Sequence, residues 1–243
     1  MESGTDFHLN SPSVSPTPLT STEQTTYREI IGSLMYCATM TRPDITYAVS
    51  MLSQFLKTPR TTHLKAAKCV LCYLSGTRDL KLLLGGNSSV AGFSDTDWAS
   101  HLHCHLISGF AYFVGLGAVS WSVKKQPIIT LSSTEAEYIT LTHAAKDIIW
   151  IHKLLTDLSF LHTLFLPTTL YCDNQGAIRL STNTTFHGRT KHIDVHFHFI
   201  CQTVSSGQVS LVYVPTDGMT ADIFTKVLDR VKFERFRTDL TVL

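Results

Sequence analysis

Four acidic residues set the chemistry this chain could perform. Asp95 lies in Gly92-Phe93-Ser94-Asp95-Thr96-Asp97-Trp98, and Glu137 in Thr134-Glu135-Ala136-Glu137-Tyr138. Asp173 lies in Tyr171-Cys172-Asp173-Asn174, and Asp222 in Thr220-Ala221-Asp222-Ile223. Each stands beside small or apolar residues that read as half-buried. A carboxylate taken out of water is costly unless a cation or hydrogen bonds replace its hydration, and a divalent cation is a common replacement. Four convergent carboxylates can hold two such ions about 4 Å apart, a geometry suited to in-line attack of water on a phosphodiester. Singly, each acid could equally be a surface acid or a helix cap; the set of four is what points to a metal site.

Neighbouring acids leave alternatives open. On a strand, Asp95 and Asp97 share a face, so spacing does not choose between them. On a helix, Glu135 and Glu137 point about 200° apart. Glu135 suits the first turn, where a carboxylate favours the helix dipole, and spacing therefore favours Glu137 for the site.

Other constellations carry less. His101-Leu102-His103-Cys104-His105 has the ligand types of a zinc site but no matching Cys/His pair at zinc-site spacing. His192 and His196 are four apart, but Ile193 stands where a zinc hydrolase would carry its glutamate. Cys69-Val70-Leu71-Cys72 falls inside a helical pattern and reads as packing. Ser132-Ser133 lack a nucleophile elbow and read as caps. Basic residues cluster at Trp121-Ser122-Val123-Lys124-Lys125-Gln126 and at Arg189-Thr190-Lys191-His192. These two clusters could hold a polyanion beside an acidic pocket.

The elements that must position these residues fall into two blocks. The opening stretch to about residue 23 is rich in Ser, Thr and Pro and is expected to be a disordered tail. Residues 24–76 show three helical patterns, about 27–37, 43–55 and 61–74, with Pro43 at a first turn. From residue 77 the pattern changes. Strands are expected near 89–95, 109–114 and 117–122, with Gly115-Leu116-Gly117 as a hairpin turn. A long helix follows over about 134–158, then a strand at Leu170-Tyr171-Cys172, helices near 174–180 and 190–204, a strand over 209–214, and short helices near 219–226 and 230–238. That order predicts an α/β fold with a mixed sheet.

Composition narrows the function classes. With 44% hydrophobic and 16% charged residues, 243 residues can build a sizeable core. A net charge of +1 gives no global footprint for nucleic acid, so such a partner needs a local basic patch. The 12 histidines could add positive charge below neutral pH. Six scattered cysteines form no disulfide framework, and no apolar window approaches a membrane span. The polar, acidic opening has no secretory pattern. A reduced, intracellular protein is expected.

At this point a resemblance enters. Tyr27-Arg28 with Ile31-Gly32-Ser33-Leu34, Thr41-Arg42-Pro43-Asp44, Ser94-Asp95-Thr96-Asp97-Trp98, Ser120-Trp121-Ser122 with Lys124-Lys125-Gln126, and Ser132-Ser133-Thr134-Glu135-Ala136-Glu137-Tyr138 carry it. So do Cys172-Asp173-Asn174-Gln175, His187-Gly188-Arg189-Thr190-Lys191-His192-Ile193-Asp194 and Ala221-Asp222-Ile223-Phe224-Thr225-Lys226. In this order, over about residues 24–228, the chain resembles the Pol polyprotein of copia-type LTR retrotransposons, at the end of the reverse transcriptase and the ribonuclease H domain. The resemblance implies a ribonuclease H-like mixed five-stranded sheet with flanking helices over 77–243, preceded by a helical remnant of the reverse transcriptase over 24–76. It implies that Asp95, Glu137, Asp173 and Asp222 are both the catalytic and the metal-binding residues, for two Mg2+ ions with Mn2+ as a substitute. It settles Glu137 over Glu135.

The implied reaction is hydrolysis of RNA in an RNA–DNA hybrid, recognised by shape and 2′-OH contacts. Lys124, Lys125, Gln126, Asn174, Arg189 and Lys191 are the expected nucleic-acid contacts, the remainder of the reverse transcriptase is a partner, and no membrane is involved. A cytoplasmic virus-like particle or the nucleus is the expected setting. The chain departs from the family at Cys104-His105-Leu106-Ile107-Ser108, where a basic pair and Ser-Thr usually precede the Gly that is Gly109. It departs again at Cys201, usually Arg, and at Val227, usually Pro. The alternative is therefore a catalytically decayed fragment that keeps the fold as a nucleic-acid-binding module.

Overall fold

The computed structural model of the chain describes residues 17–86, 90–97, 106–126, 130, 132–159, 166–182 and 194–243. The chain divides into two units. One contains the residues up to Leu82 together with Val227–Leu243, and the other is Leu83–Lys226.

The first unit is helical. Its helices are α1 (Ser21–Met40), α2 (Thr46–Ser53) and α3 (Thr61–Gly76), with a short 3-10 turn at Pro43–Ile45. Tyr27, Ile31, Leu34 and Ala38 recur at helical spacing on α1 and are buried against Val49 and Leu52 of α2 and Leu64, Ala67 and Val70 of α3. Arg42 and Asp44 are both buried and pair in a two-pronged ion pair (2.9 and 2.7 Å), which Tyr73 joins by donating to Asp44 at 2.7 Å. Buried charges of this kind persist where their hydrogen bonds are satisfied.

Two features of this unit depart from expectation. Residues 17–23 are not a tail: Thr20 and Glu23 form a reciprocal capping box at the start of α1, and Leu19 is buried. The preceding residues 1–16 lie outside those described. The C-terminal segment 227–243, placed with the sheet on sequence grounds, belongs with the helices. Its helix Arg230–Asp239 sets Phe233 edge-on to Tyr73, and Leu82 pairs with Val242.

The second unit is built on one five-stranded sheet. Its strands are β1 (Val90–Asp97), β2 (Ile107–Val114), β3 (Gly117–Lys125), β4 (Thr168–Cys172) and β5 (Val209–Tyr213), in the order β3-β2-β1-β4-β5. The first three strands form an antiparallel meander, and β4 and β5 add in parallel. Gly115 turns the β2–β3 hairpin with φ near 70°, a conformation other L-residues resist. The long helix α4 (Ser133–Asp157) connects β3 to β4, and α5 (Gln175–Thr182) and α6 (Asp194–Ser205) connect β4 to β5. The core joins Tyr138, Leu141, Ala145 and Ile148 of α4 to Tyr112, Leu170 and Ile200. This is the expected α/β class with a mixed sheet and flanking helices. Among the described residues no helix is long and apolar enough to cross a membrane.

Candidate functional site

Each of the four acids is delivered by a different element of the second unit. Asp95 lies toward the C-terminal end of β1 and is 1% exposed. Glu137 lies in the second turn of α4, where seven consecutive residues from Ala136 to Thr142 are buried; a helix embedded on every side buries even its carboxylate. Asp173 directly follows β4, and Asp222 sits fully buried in a 3-10 turn, Thr220–Phe224.

Side-chain contacts draw the acids into two pairs, and the charges of Asp95 and Asp173 on Glu137 link the pairs. Lys226 reaches back across one turn, its Nζ 3.1 Å from Asp95 Oδ1 and 2.8 Å from Asp222 Oδ1. Thr225 Oγ1 donates to the other oxygen of Asp95. Carboxylate oxygens of Glu137 and Asp173 lie with Cys172 Sγ within 4.8 Å of one another. The Thr96 amide donates to Glu137 Oε1 at 3.0 Å, and Thr216 Oγ1 donates to Asp173 Oδ2 at 2.8 Å. Glu135 stands in the first turn of α4, its amide donating to the N-cap hydroxyl of Ser132 at 3.2 Å. Asp97 is also buried at the end of β1, and it is Asp95 that receives Thr225 and Lys226.

The electrostatics follow from burial and crowding. Burial pushes the Asp95 carboxyl up to about 6; Lys226 opposes the rise and Asp222 adds to it. Burial, then the charges of Asp95 and Asp173, hold the Glu137 carboxyl well above the usual range. Burial, then Glu137, push the Cys172 thiol up. For Lys226, burial alone would lower the ammonium, but Asp95 and Asp222 outweigh it and raise it. These are the signs of a site short of positive charge. Glu137 Oε2 is buried without a hydrogen-bond partner among the described residues. Oxygen donors in excess, one orphaned buried carboxylate oxygen and a lysine already drawn in as counterion fit a hard divalent cation. Asp95, Glu137, Asp173 and Asp222 would hold it.

The expected nucleic-acid contacts divide. Lys124 and Lys125 are exposed at the end of β3, a sheet-edge strand. Asn174 is half-buried, and its Oδ1 accepts the Ala177 amide at 3.0 Å, capping α5. Gln126 is 6% exposed, and its amide nitrogen points inward, within hydrogen-bond reach of Ser108 Oγ, the Ala136 carbonyl and Thr140 Oγ1. Arg189 and Lys191 lie outside the described residues, as do the His101–His105 cluster and His192.

Sequence reasoning missed Thr96, Thr216, Thr225 and Lys226. Thr96, Thr225 and Lys226 stand inside motifs that carry the resemblance, and Lys226 is also a cation four residues after Asp222; Thr216 left no signal.

No protein-family model matches the chain. Among solved structures it is similar to the LC11 ribonuclease H1 in complex with an RNA/DNA hybrid, at 15% identity and a TM-score of 0.41, over 56% of this chain and 93% of that one. It is also similar to a foamy viral protease-reverse transcriptase in complex with RNA/DNA hybrid, at 11% identity and a TM-score of 0.41, over 87% of this chain and 29% of that one.

The relatives in sequence are nearer. A retrovirus-related Pol polyprotein from transposon RE1 of Arabidopsis thaliana is 42% identical over 224 residues, which is 91% of this chain and 15% of the polyprotein. The corresponding polyprotein from transposon TNT 1-94 of Nicotiana tabacum is 40% identical over 210 residues, 86% of this chain and 16% of its own length. Over about nine tenths of its length the chain is similar to a part of the retrovirus-related Pol polyproteins of transposons. It spans about 15% of the length of those Pol polyproteins.

Proposed function

We propose that this chain hydrolyses RNA within RNA–DNA hybrids, endonucleolytically and with divalent metal, as part of the reverse-transcription machinery of a copia-type retrotransposon. The observation that carries the reading is the convergence of four carboxylates from four elements, two of them raised above their ordinary range and one with an orphaned oxygen. A divalent cation held by these carboxylates, Mg2+ or Mn2+, would supply Lewis acidity toward the attacking water and the leaving oxygen. The chain's own residues do the rest. Asp95, Glu137, Asp173 and Asp222 provide the oxygen ligands. Thr96, Thr216 and Thr225 fix three of those carboxylates by donating to them. Lys124 and Lys125 offer charge to the hybrid backbone, together with Arg189 and Lys191.

The test is incubation of purified chain with a hybrid labelled on its RNA strand. RNA fragments that form with Mg2+ and not with chelator are expected, and the DNA strand stays whole. Binding of the hybrid without cleavage in either Mg2+ or Mn2+ overturns the reading. Lys226 favours a second reading, a decayed module that keeps the fold and its affinity for nucleic acid, because its ammonium already neutralises part of the cluster without metal. Binding without cleavage is that reading's outcome.

A further inference from the structure

Gln126 follows β3 directly, and its backbone continues the pairing by donating to Leu106 O at 2.8 Å. Its side chain turns into the interior. Nε2 lies 2.7 Å from Ser108 Oγ, 3.0 Å from the Ala136 carbonyl and 3.2 Å from Thr140 Oγ1. Ser108 and Thr140 hydroxyls are themselves 2.6 Å apart, and Thr140 meets Thr96. One polar knot thus ties together β1 (Thr96), β2 (Ser108), the residue after β3 (Gln126) and α4 (Thr140). All four side chains are buried.

The knot closes on one peptide. The Ala136 carbonyl accepts from Gln126, from Thr96 Oγ1 at 3.3 Å and from Thr140 Oγ1 at 3.1 Å. That carbonyl belongs to the peptide unit that carries the Glu137 amide. Glu137 is therefore held at both ends, its backbone through Ala136 and its carboxylate through the Thr96 amide. Of the three donors to Ala136, Thr140 lies on the same helix and Thr96 on the strand that bears Asp95. Among the described residues, Gln126 is the side chain that ties this peptide to the β3 side of the sheet.

We propose that Gln126 is a positioning residue for the carboxylate site, setting where Glu137 stands relative to Asp95 through the Ala136 peptide. The proposal rests on reading the four carboxylates as a metal-dependent hydrolytic centre. Loss of a supporting hydrogen bond behind a metal ligand costs roughly 10–100-fold in metal affinity or activity.

The experiment compares wild type, Gln126→Met, which keeps volume and removes the donor, Ser108→Ala, which removes a partner of the amide, and Lys124→Ala/Lys125→Ala. Two readouts are taken on folded protein: Mn2+ affinity by calorimetry, and kcat and KM for hybrid cleavage. Gln126→Met is expected to lose roughly 10–100-fold in Mn2+ affinity and kcat, with KM for the hybrid little changed, and Ser108→Ala to move the same way by less. The lysine variant is expected to raise KM and leave Mn2+ affinity alone. A rise in KM for Gln126→Met with unchanged Mn2+ affinity would place the amide on the substrate and overturn the proposal. So would wild-type Mn2+ affinity and kcat in folded Gln126→Met; if that variant does not fold, the same result in Ser108→Ala is decisive. A wild type that binds Mn2+ but cleaves nothing overturns the hydrolase reading alone, and the calorimetric comparison still judges Gln126.

Discussion

Lys226 and the carboxylates it touches can be separated by substitution. Asp95 and Asp222 are each about 1% exposed at the side chain, so removing their shared cation leaves two buried charges to repel. Lys226→Gln is expected to destabilise the metal-free chain by about 1–3 kcal/mol, allowing for the lysine's partial exposure, and to bind Mn2+ more tightly because no ammonium competes. Urea denaturation with chelator and calorimetry with Mn2+ measure the two effects; a variant that is less stable but binds Mn2+ more weakly would show that the lysine supports the ion. Gln126 and Lys226 also mark how far single residues were legible. The acids stood out because a carboxylate beside apolar residues needs a partner. Gln126 read as a surface contact because it follows two lysines, and nothing local reveals that a strand end turns one polar side chain inward. Lys226 stands inside a motif that carries the resemblance, but its spacing from Asp222 is one that an exposed ion pair would share.

Among elements, β2 and the turn carrying Asp222 are fitted closely. A Cβ on Gly109 would stand 2.6 Å from Phe224 Cβ and 2.7 Å from Thr225 Cγ2. Gly109→Ala is expected to push that turn off the sheet, costing about 1–3 kcal/mol in stability and weakening Mn2+ binding through displaced Asp222. Thermal denaturation and calorimetry check it, and unchanged Mn2+ affinity would mean the turn adjusts without moving its acid. At the other unit, Thr20→Ala should cost about 1 kcal/mol by removing the cap of α1. The signal for that cap was present as Thr20-Ser21-Thr22-Glu23, a capping box, but the Ser/Thr/Pro-rich composition around it masked it. Long elements such as α4 and the three-strand meander were plain from periodicity and turn residues. The return of 227–243 to the helical unit was not, because it depends on long-range packing of Phe236, Leu240 and Val242 that no local pattern records.

For the whole molecule, charge links folding to pH and metal. Asp95 has a folded pKa of about 6 against an ordinary 3.8, so its contribution to stability is complete below the lower value and is lost as pH rises through the upper one. Glu137 shifts in the same direction. Without metal, Asp95→Asn should therefore gain stability over wild type as pH is raised from about 4 to about 7, and divalent metal should reverse that gap. A gap that stays flat with pH would show that Asp95 is not strained when charged. Hybrid binding faces a different limit. With a net charge of +1 and phosphate contacts resting on a few cations, log affinity should fall with log salt at a slope no steeper than about −4. A steeper slope would reveal a basic surface beyond Lys124, Lys125, Arg189 and Lys191. The central claim is that four carboxylates from four elements make one metal centre. Anomalous diffraction from crystals of the chain soaked in Mn2+ tests it most directly. The expected map places manganese against Asp95, Glu137, Asp173 and Asp222, with Lys226 moved off Asp95; manganese bound elsewhere, or Lys226 still seated between Asp95 and Asp222 with no ion beside it, would contradict the account.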